Sequence, residues 1–222
     1  MDNVRFTLNQ YTECGICRLC EAISKPICER KIYDTLLEET DRFVWIPGLG
    51  SFIEGYSLIV SKSHVRNTGC LDIDIIDELE HFINKIKNML RKVYKKGTVI
   101  FEHGSMGSRN CAGSCIEHQH IHILPADFSG VPSVLLNNFI SRGPISSMKH
   151  LIELNQNHIP YIYYVPTSGI HSVFEARILP RQYLRQVVAA EYNCQDNWDW
   201  REKPFLDNII SFVTKIRELR RE

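Results

Sequence analysis

An α+β fold is predicted by three stretches of the 222-residue chain. The run Glu117-His118-Gln119-His120-Ile121-His122-Ile123-Leu124-Pro125 alternates at a period of two, which reads as a strand bounded by Gly113 and Pro125. Leu71 to Lys96 repeats apolar residues at helical spacing. Tyr161 to Pro166 and Ser172 to Ile178 read as two further strands around a Ser168-Gly169 turn, rich in Tyr, Val and Phe.

Taken in chain order, the first informative residues are Cys14, Cys17 and Cys20, two overlapping Cys-x-x-Cys pairs. That spacing lets two thiolates grip one metal ion from a tight turn; reduced thiols that bind nothing are the plainer alternative. Disulfides are not expected, since no secretory signal is visible and the chain is large enough to build a core without them. The helix over residues 71–96 places Ile75, Ile76, Leu79, Phe82, Ile83, Ile86, Leu90 and Val93 on one stripe, with acids early and lysines late as its dipole prefers. A short apolar strand, Thr98 to Glu102, follows and leads into His103-Gly104. The loop Ser105 to Ser114 is rich in Gly, Ser and Asn. It could offer backbone N–H groups to a phosphate, with Arg109 adding charge, although ordinary surface loops have the same composition.

On the strand that comes next, side chains two apart share a face at roughly 6 to 7 Å, so His118, His120 and His122 stand in a row. Packing alone explains such a row poorly, because each imidazole needs polar partners. Beyond the paired strands, Pro180 opens a predicted helix through Val188, and Pro204 to Arg221 forms a last amphipathic helix on Leu206, Ile209, Ile210, Phe212, Val213 and Ile216. Arg181, Gln182 and Arg185 could reach a phosphate or sugar, but solvated surface is the default for such residues. His171 is equally open.

These motifs resemble the histidine triad (HIT) superfamily of nucleotidyl hydrolases and transferases. Positions 118 to 124 match its signature except that Gln119 replaces the first hydrophobic residue. Gly55-Tyr56-Ser57-Leu58-Ile59-Val60-Ser61-Lys62-Ser63-His64 looks like the family's strand and turn, and Cys14-Gly15-Ile16-Cys17-Arg18-Leu19 is similar to the cysteine pair of its zinc-containing, bacterial-type branch. The resemblance covers about residues 10 to 128. It implies an antiparallel sheet of about five strands with a long core helix, a HIT-like catalytic domain over residues 1–128, and an integrated α/β extension over 129–222.

For chemistry the resemblance implies that His120 is the nucleophile. A neutral imidazole nitrogen attacks an α-phosphorus in line and expels pyrophosphate, a nucleotide, a sugar phosphate or an amine. His122 would lie near the phosphate oxygens or the leaving group and donate a hydrogen bond or proton. The implied zinc ligands are Cys14, Cys17, His64 and His118, with Cys20 a rival to either cysteine. Four protein ligands close the coordination sphere, so the Zn2+ would be structural. Lys62, His103, Arg109 and Ser114 are the substrate-binding candidates. Ser114 and Cys115 stand where family hydrolases often carry glutamine and then serine or threonine, and Tyr56 replaces a common histidine. A dinucleoside polyphosphate substrate is therefore not carried over. Family members usually pair as homodimers.

Bulk properties agree with a small nucleotide as partner. Twenty-six basic and 26 acidic side chains give a formal charge of zero, which leaves no field for long nucleic acid. No apolar stretch reaches the ~20 residues of a spanning helix, and a cytoplasmic location is expected. Two other classes stay open: a metal hydrolase in which His118 and His120 hold a catalytic zinc, and a nucleotide sensor that turns nothing over.

Overall fold

Alternating side chains along successive strands send apolar residues to both faces of one sheet. The computed structural model describes residues 17–107, 116–177 and 179–221. Its strands are β1 (Glu38–Glu39), β2 (Phe43–Pro47), β3 (Ser57–Ser61), β4 (Gly97–Gly104), β5 (His120–Ala126), β6 (Ile140–Ile145), β7 (Tyr161–Val165) and β8 (His171–Glu175). They form an eight-stranded sheet in the order β1-β2-β3-β5-β4-β7-β8-β6, with every neighbouring pair antiparallel. The helices are α1 (Arg18–Ser24), α2 (Ile73–Tyr94), α3 (Ser133–Asn138), α4 (His150–Gln156), α5 (Tyr183–Glu191) and α6 (Leu206–Leu219).

One sheet face carries Ile59, Ile100, Ile121, Ile123, Tyr163 and Val173 and packs against α2 and α6. The opposite face carries Leu58, Val60, Val99, Phe101, Leu124 and Tyr164 and packs against α1 and α5. Because both faces are covered, β2, β3 and β7 are buried along their whole length. On β5 the period of two puts Ile121 and Ile123 on the first face, which leaves the His120 and His122 side chains to the second.

The fold is α+β as predicted, with more strands than the five expected. The difference lies beyond residue 129: β7 pairs with the free edge of β4, from Ile100↔Val165 to Gly104↔Tyr161, and β8 and β6 follow, so this segment extends the same sheet. One late helix is shifted along the chain and the last one is shorter than expected. The Pro180 helix begins only at Tyr183, because Gln182 adopts a left-handed φ of 58° that breaks helical geometry just before it. The last helix runs from Leu206 to Leu219. Ile178, the expected end of one strand, lies outside the described residues. Among the described residues no helix is long and apolar enough to cross a membrane.

Behind the site, a buried polar network ties β4 to its surroundings. The Glu102 carboxyl accepts from the Thr68 backbone N–H at 2.8 Å, the Thr68 hydroxyl at 3.0 Å and the Tyr161 hydroxyl at 3.0 Å. Burial outweighs these bonds and pushes the carboxyl up to about 7.

Candidate active site

β5 begins at His120, so only two of the three histidines share the strand face. His118 sits in the bend before it, where the Gln119 backbone N–H donates to the Val65 carbonyl at 2.6 Å and its side-chain oxygen accepts from Ser61 N–H at 3.0 Å. The expected row of three is thereby broken, and the His118 ring turns to a different set of partners.

His120 and His122 lie with ring centroids 4.8 Å apart. His120 Nδ1 is 2.6 Å from the His118 carbonyl, which can only accept, so Nδ1 carries the proton and Nε2 keeps its lone pair. Burial lowers the His120 imidazole below its ordinary value, and the charge of Arg18 adds to this while the carbonyl bond opposes it. The ring is neutral at physiological pH. His122 stacks on Phe101 at 4.4 Å, and its Nδ1 meets the Tyr56 hydroxyl at 2.8 Å. Burial holds His122 well below the ordinary histidine value, with His120, His103 and Arg185 adding repulsion.

The His118 ring belongs to a cluster with Cys17, Cys20 and His64, whose ligand atoms all lie within 4.8 Å of one another. His118 Nδ1 is 3.4 Å from Cys17 Sγ, 3.3 Å from Cys20 Sγ and 3.2 Å from His64 Nδ1, and Cys20 Sγ is 3.3 Å from His64 Nδ1. One ring nitrogen can serve only one hydrogen bond, so three such neighbours are not explained by hydrogen bonding. A tetrahedral ion with bonds of about 2.3 Å to sulfur and about 2.0 Å to nitrogen sets two nitrogens roughly 3.3 Å apart and a sulfur and a nitrogen roughly 3.5 Å apart, close to the observed spacings. His118 Nε2–H donates to the Ser61 carbonyl at 2.8 Å, leaving Nδ1 unprotonated and aimed at the cluster. Burial lowers its imidazole to about 4, against that bond. These four residues could hold a metal ion. Cys20 completes the set; Cys14, the expected ligand, lies outside the described residues. Among the described residues no metal-binding group includes His120, whose Nδ1 is taken by a carbonyl.

The two strand histidines open into a cleft of ≈ 590 Å³. Its lining includes Arg18, Tyr56, Leu58, His103, Arg185 and Trp200. Gln182 and Arg185 are 4% and 3% exposed. The expectation of solvated surface fails for both, because the segment after α5 folds over them: Gln182 Nε2 donates to Asp199 at 2.9 Å, and Arg185 Nε donates to the Trp198 carbonyl at 2.7 Å. Arg181 is exposed as expected. Sequence reasoning missed Trp200 altogether.

Of the other expected residues, His103 lines the cleft, 6.4 Å from His122 between ring centroids. Lys62 instead forms an ion pair with Glu39 at 2.8 Å, away from the cleft lining. Arg109 and Ser114 lie outside the described residues. His171 pairs with the Tyr163 hydroxyl at 2.9 Å on β8 and does not reach the cleft. Tyr56, noted only as a departure, takes up His122.

Comparison with known proteins adds three findings. The chain is 23% identical over 201 residues to the zinc finger CCCH domain-containing protein 64 of Arabidopsis thaliana, covering 87% of this chain and 32% of that protein. The chain thus spans about a third of the length of this relative. Among solved structures, it is similar to a hypothetical histidine triad nucleotide-binding protein of Sulfolobus tokodaii (24% identity, 64% of this chain and 87% of that one, TM-score 0.43). It is also similar to a HIT family protein of Bacillus subtilis (20% identity, 52% and 80% coverage, TM-score 0.42). The family described as "Protein similar to CwfJ C-terminal" matches residues 12–129, a span that holds the cysteine and histidine cluster together with His120 and His122. The chain belongs to this family of proteins similar to the CwfJ C-terminal region.

Proposed function

We propose that this protein is a HIT-like nucleotidyl hydrolase or transferase that works through a covalent His120–nucleotide intermediate. The observation that carries the reading is the 2.6 Å contact between His120 Nδ1 and the His118 carbonyl. It fixes the tautomer whose Nε2 lone pair is available, and burial keeps that ring neutral. Nε2 attacks the α-phosphorus, a P–N bond forms, and the bond to the leaving oxygen breaks with its electron pair. Tyr56 holds His122 Nδ1, so His122 Nε2–H is the donor beside the leaving group. Water or another acceptor then attacks phosphorus, and the P–N electron pair returns to His120.

Cys17, Cys20, His64 and His118 would hold a structural Zn2+. With an ion held there, these residues would tie the N-terminal segment to the β3 and β5 termini, a structural role and not a Lewis-acid one in the cleft. A small nucleotide partner, homodimerisation and a cytoplasmic location, all expected from the sequence, belong to the same reading.

The test is intact-protein mass after a short acid-free quench with nucleoside polyphosphates, nucleotide sugars and nucleoside phosphoramidates, wild type beside His120→Asn. A gain of one nucleoside monophosphate in wild type alone is expected. Turnover retained in His120→Asn would sink the mechanism, and binding without adduct or turnover would make the protein a sensor.

A further inference from the structure

Arg185 is a buried cation at the wall of the cleft, 3% exposed. Its guanidinium lies over the Tyr56 ring at 4.8 Å and the Phe52 ring at 5.2 Å. Its backbone partners are neutral carbonyls, Trp198 at 2.7 Å and Gly50 at 2.5 Å. Among the described residues it forms no ion pair, whereas Arg18, which also lines the cleft, is paired with Asp34 at 2.8 Å. Asp199, whose charge Arg185 feels, is held instead by the Gln182 amide at 2.9 Å and the Arg201 backbone N–H at 3.0 Å. A buried charge without a counter-ion is costly, and the neutral carbonyls and aromatic faces offset only part of that cost. A position on the cleft wall lets a ligand supply the missing anion.

The order of groups along the cleft says which part of a ligand that is. His120 is followed by His122 at 4.8 Å, His122 by Tyr56 at 5.7 Å, and Tyr56 by Arg185 at 4.8 Å. Arg185 thus adjoins the Tyr56–His122 pair, and its charge bears on His122, whereas the charge that bears on His120 is that of Arg18. We infer that Arg185, delivered by the segment after residue 129, is the counter-cation for an anionic leaving group, so that the substrate is a nucleoside 5′-phosphoanhydride with phosphate on both sides of the scissile bond. This rests on the reading of His120 as nucleophile and His122 as the leaving-group side. An amine leaving group, neutral or cationic as it departs, gains nothing from this guanidinium, whereas a departing phosphate gains a charge-assisted hydrogen bond.

Binding tests this without needing turnover. Calorimetric titration of wild type with the 5′-mono- and 5′-diphosphates of the four ribonucleosides is expected to show at least one diphosphate bound about 10- to 100-fold tighter than its monophosphate, the worth of a hydrogen bond to a charged group. In Arg185→Gln, with fold checked by near-UV circular dichroism, the ratio should fall to within about threefold. Equal affinities in wild type, or an unchanged ratio in folded Arg185→Gln, would overturn the inference. If that variant does not fold, the side-chain Nε–H resonance of Arg185 in 15N-labelled wild type decides: it should shift with the diphosphate and not with the monophosphate, and no shift with either overturns the proposal. Absence of a His120 adduct alongside a ratio lost in Arg185→Gln would remove the covalent reading and leave the anion site standing.

Discussion

Tyr56 and His122, 66 residues apart in the chain, meet at 2.8 Å inside the cleft, hydroxyl to Nδ1. The Arg185 guanidinium lies over the same ring, and burial pushes the phenol up to about 12 against that charge, so the hydroxyl stays protonated and donates to His122. The tyrosine thus sets the tautomer of one histidine as the His118 carbonyl sets that of the other. Tyr56→Phe keeps the ring and removes the donor. Turnover is expected to fall about tenfold, with His120 labelling slowed in parallel, because an unmade buried hydrogen bond costs about 1–3 kcal/mol. Unchanged rates in a steady-state and quench comparison would remove His122 from the proton step.

Loss of either thiol should empty the metal cluster. Cys17→Ser and Cys20→Ser are expected to purify without stoichiometric zinc by atomic emission and to melt at least about 4–8 °C lower, the equivalent of about 2 kcal/mol for a domain of this size. Cys28 is exposed and stands apart from the cluster, so Cys28→Ser should match wild type in both measurements. Normal zinc content in Cys20→Ser would move the ligand role to another residue.

Glu102 gives a pH signature to stability. Its carboxyl titrates at about 7 in the folded protein and near 4.5 when unfolded, so the folded state holds the extra proton between these values. Its contribution is complete below pH 4.5 and is lost as pH rises through about 7. The depressed histidines act in the opposite direction, because their unfolded forms bind the extra proton. The informative quantity is therefore the melting temperature of wild type minus that of Glu102→Gln, which should decline from pH 4.5 to pH 7.5. A flat difference would show that the carboxyl is not raised.

Gly50 is a point at which the C-terminal segment packs over the cleft. Its φ is +75°, and an added Cβ would lie 2.3 Å from Trp200 Cβ and 2.5 Å from Trp200 Cα. Its carbonyl accepts from Arg185. Gly50→Ala meets both an unfavourable backbone region and a backbone clash, and should destabilise by about 2 kcal/mol or more in urea unfolding. Loss of the diphosphate preference should accompany it, since Trp200 and Arg185 both pack against Gly50.

The shared face of His120 and His122 and the Cys17–Cys20 step were legible because they are local: a period of two and a Cys-x-x-Cys step report directly on neighbouring side chains. Helix α2 was legible for the same reason, since Ile76, Leu79, Phe82, Ile83, Ile86 and Leu90 form one stripe. Arg185 was not, because its burial depends on Gly50, 135 residues away, and on Trp198, neither of which marks the arginine in sequence. His118 was placed on the strand by pattern, yet its partners Ser61, Cys17 and Cys20 come from other segments and draw it into a bend. Beyond residue 129, β7 and β8 were legible from their Tyr, Val and Phe content, whereas β6 escaped because it is mostly exposed and contains Gly143 and Pro144, so it lacks an apolar period.

His118 speaks to the cluster with its side chain and to the nucleophile with its main chain. Those two attachments answer to different perturbations. Replacing the side chain removes a ligand yet leaves the carbonyl in the sequence, since every residue has one. Stripping the ion would keep the side chain but remove one anchor of the bend, leaving the Gln119 bonds to Val65 and Ser61 to hold the carbonyl in place. On the proposed reading the tautomer of His120 depends on the anchorage of its neighbour's backbone, so a chelator is expected to slow labelling of His120 without entering the cleft.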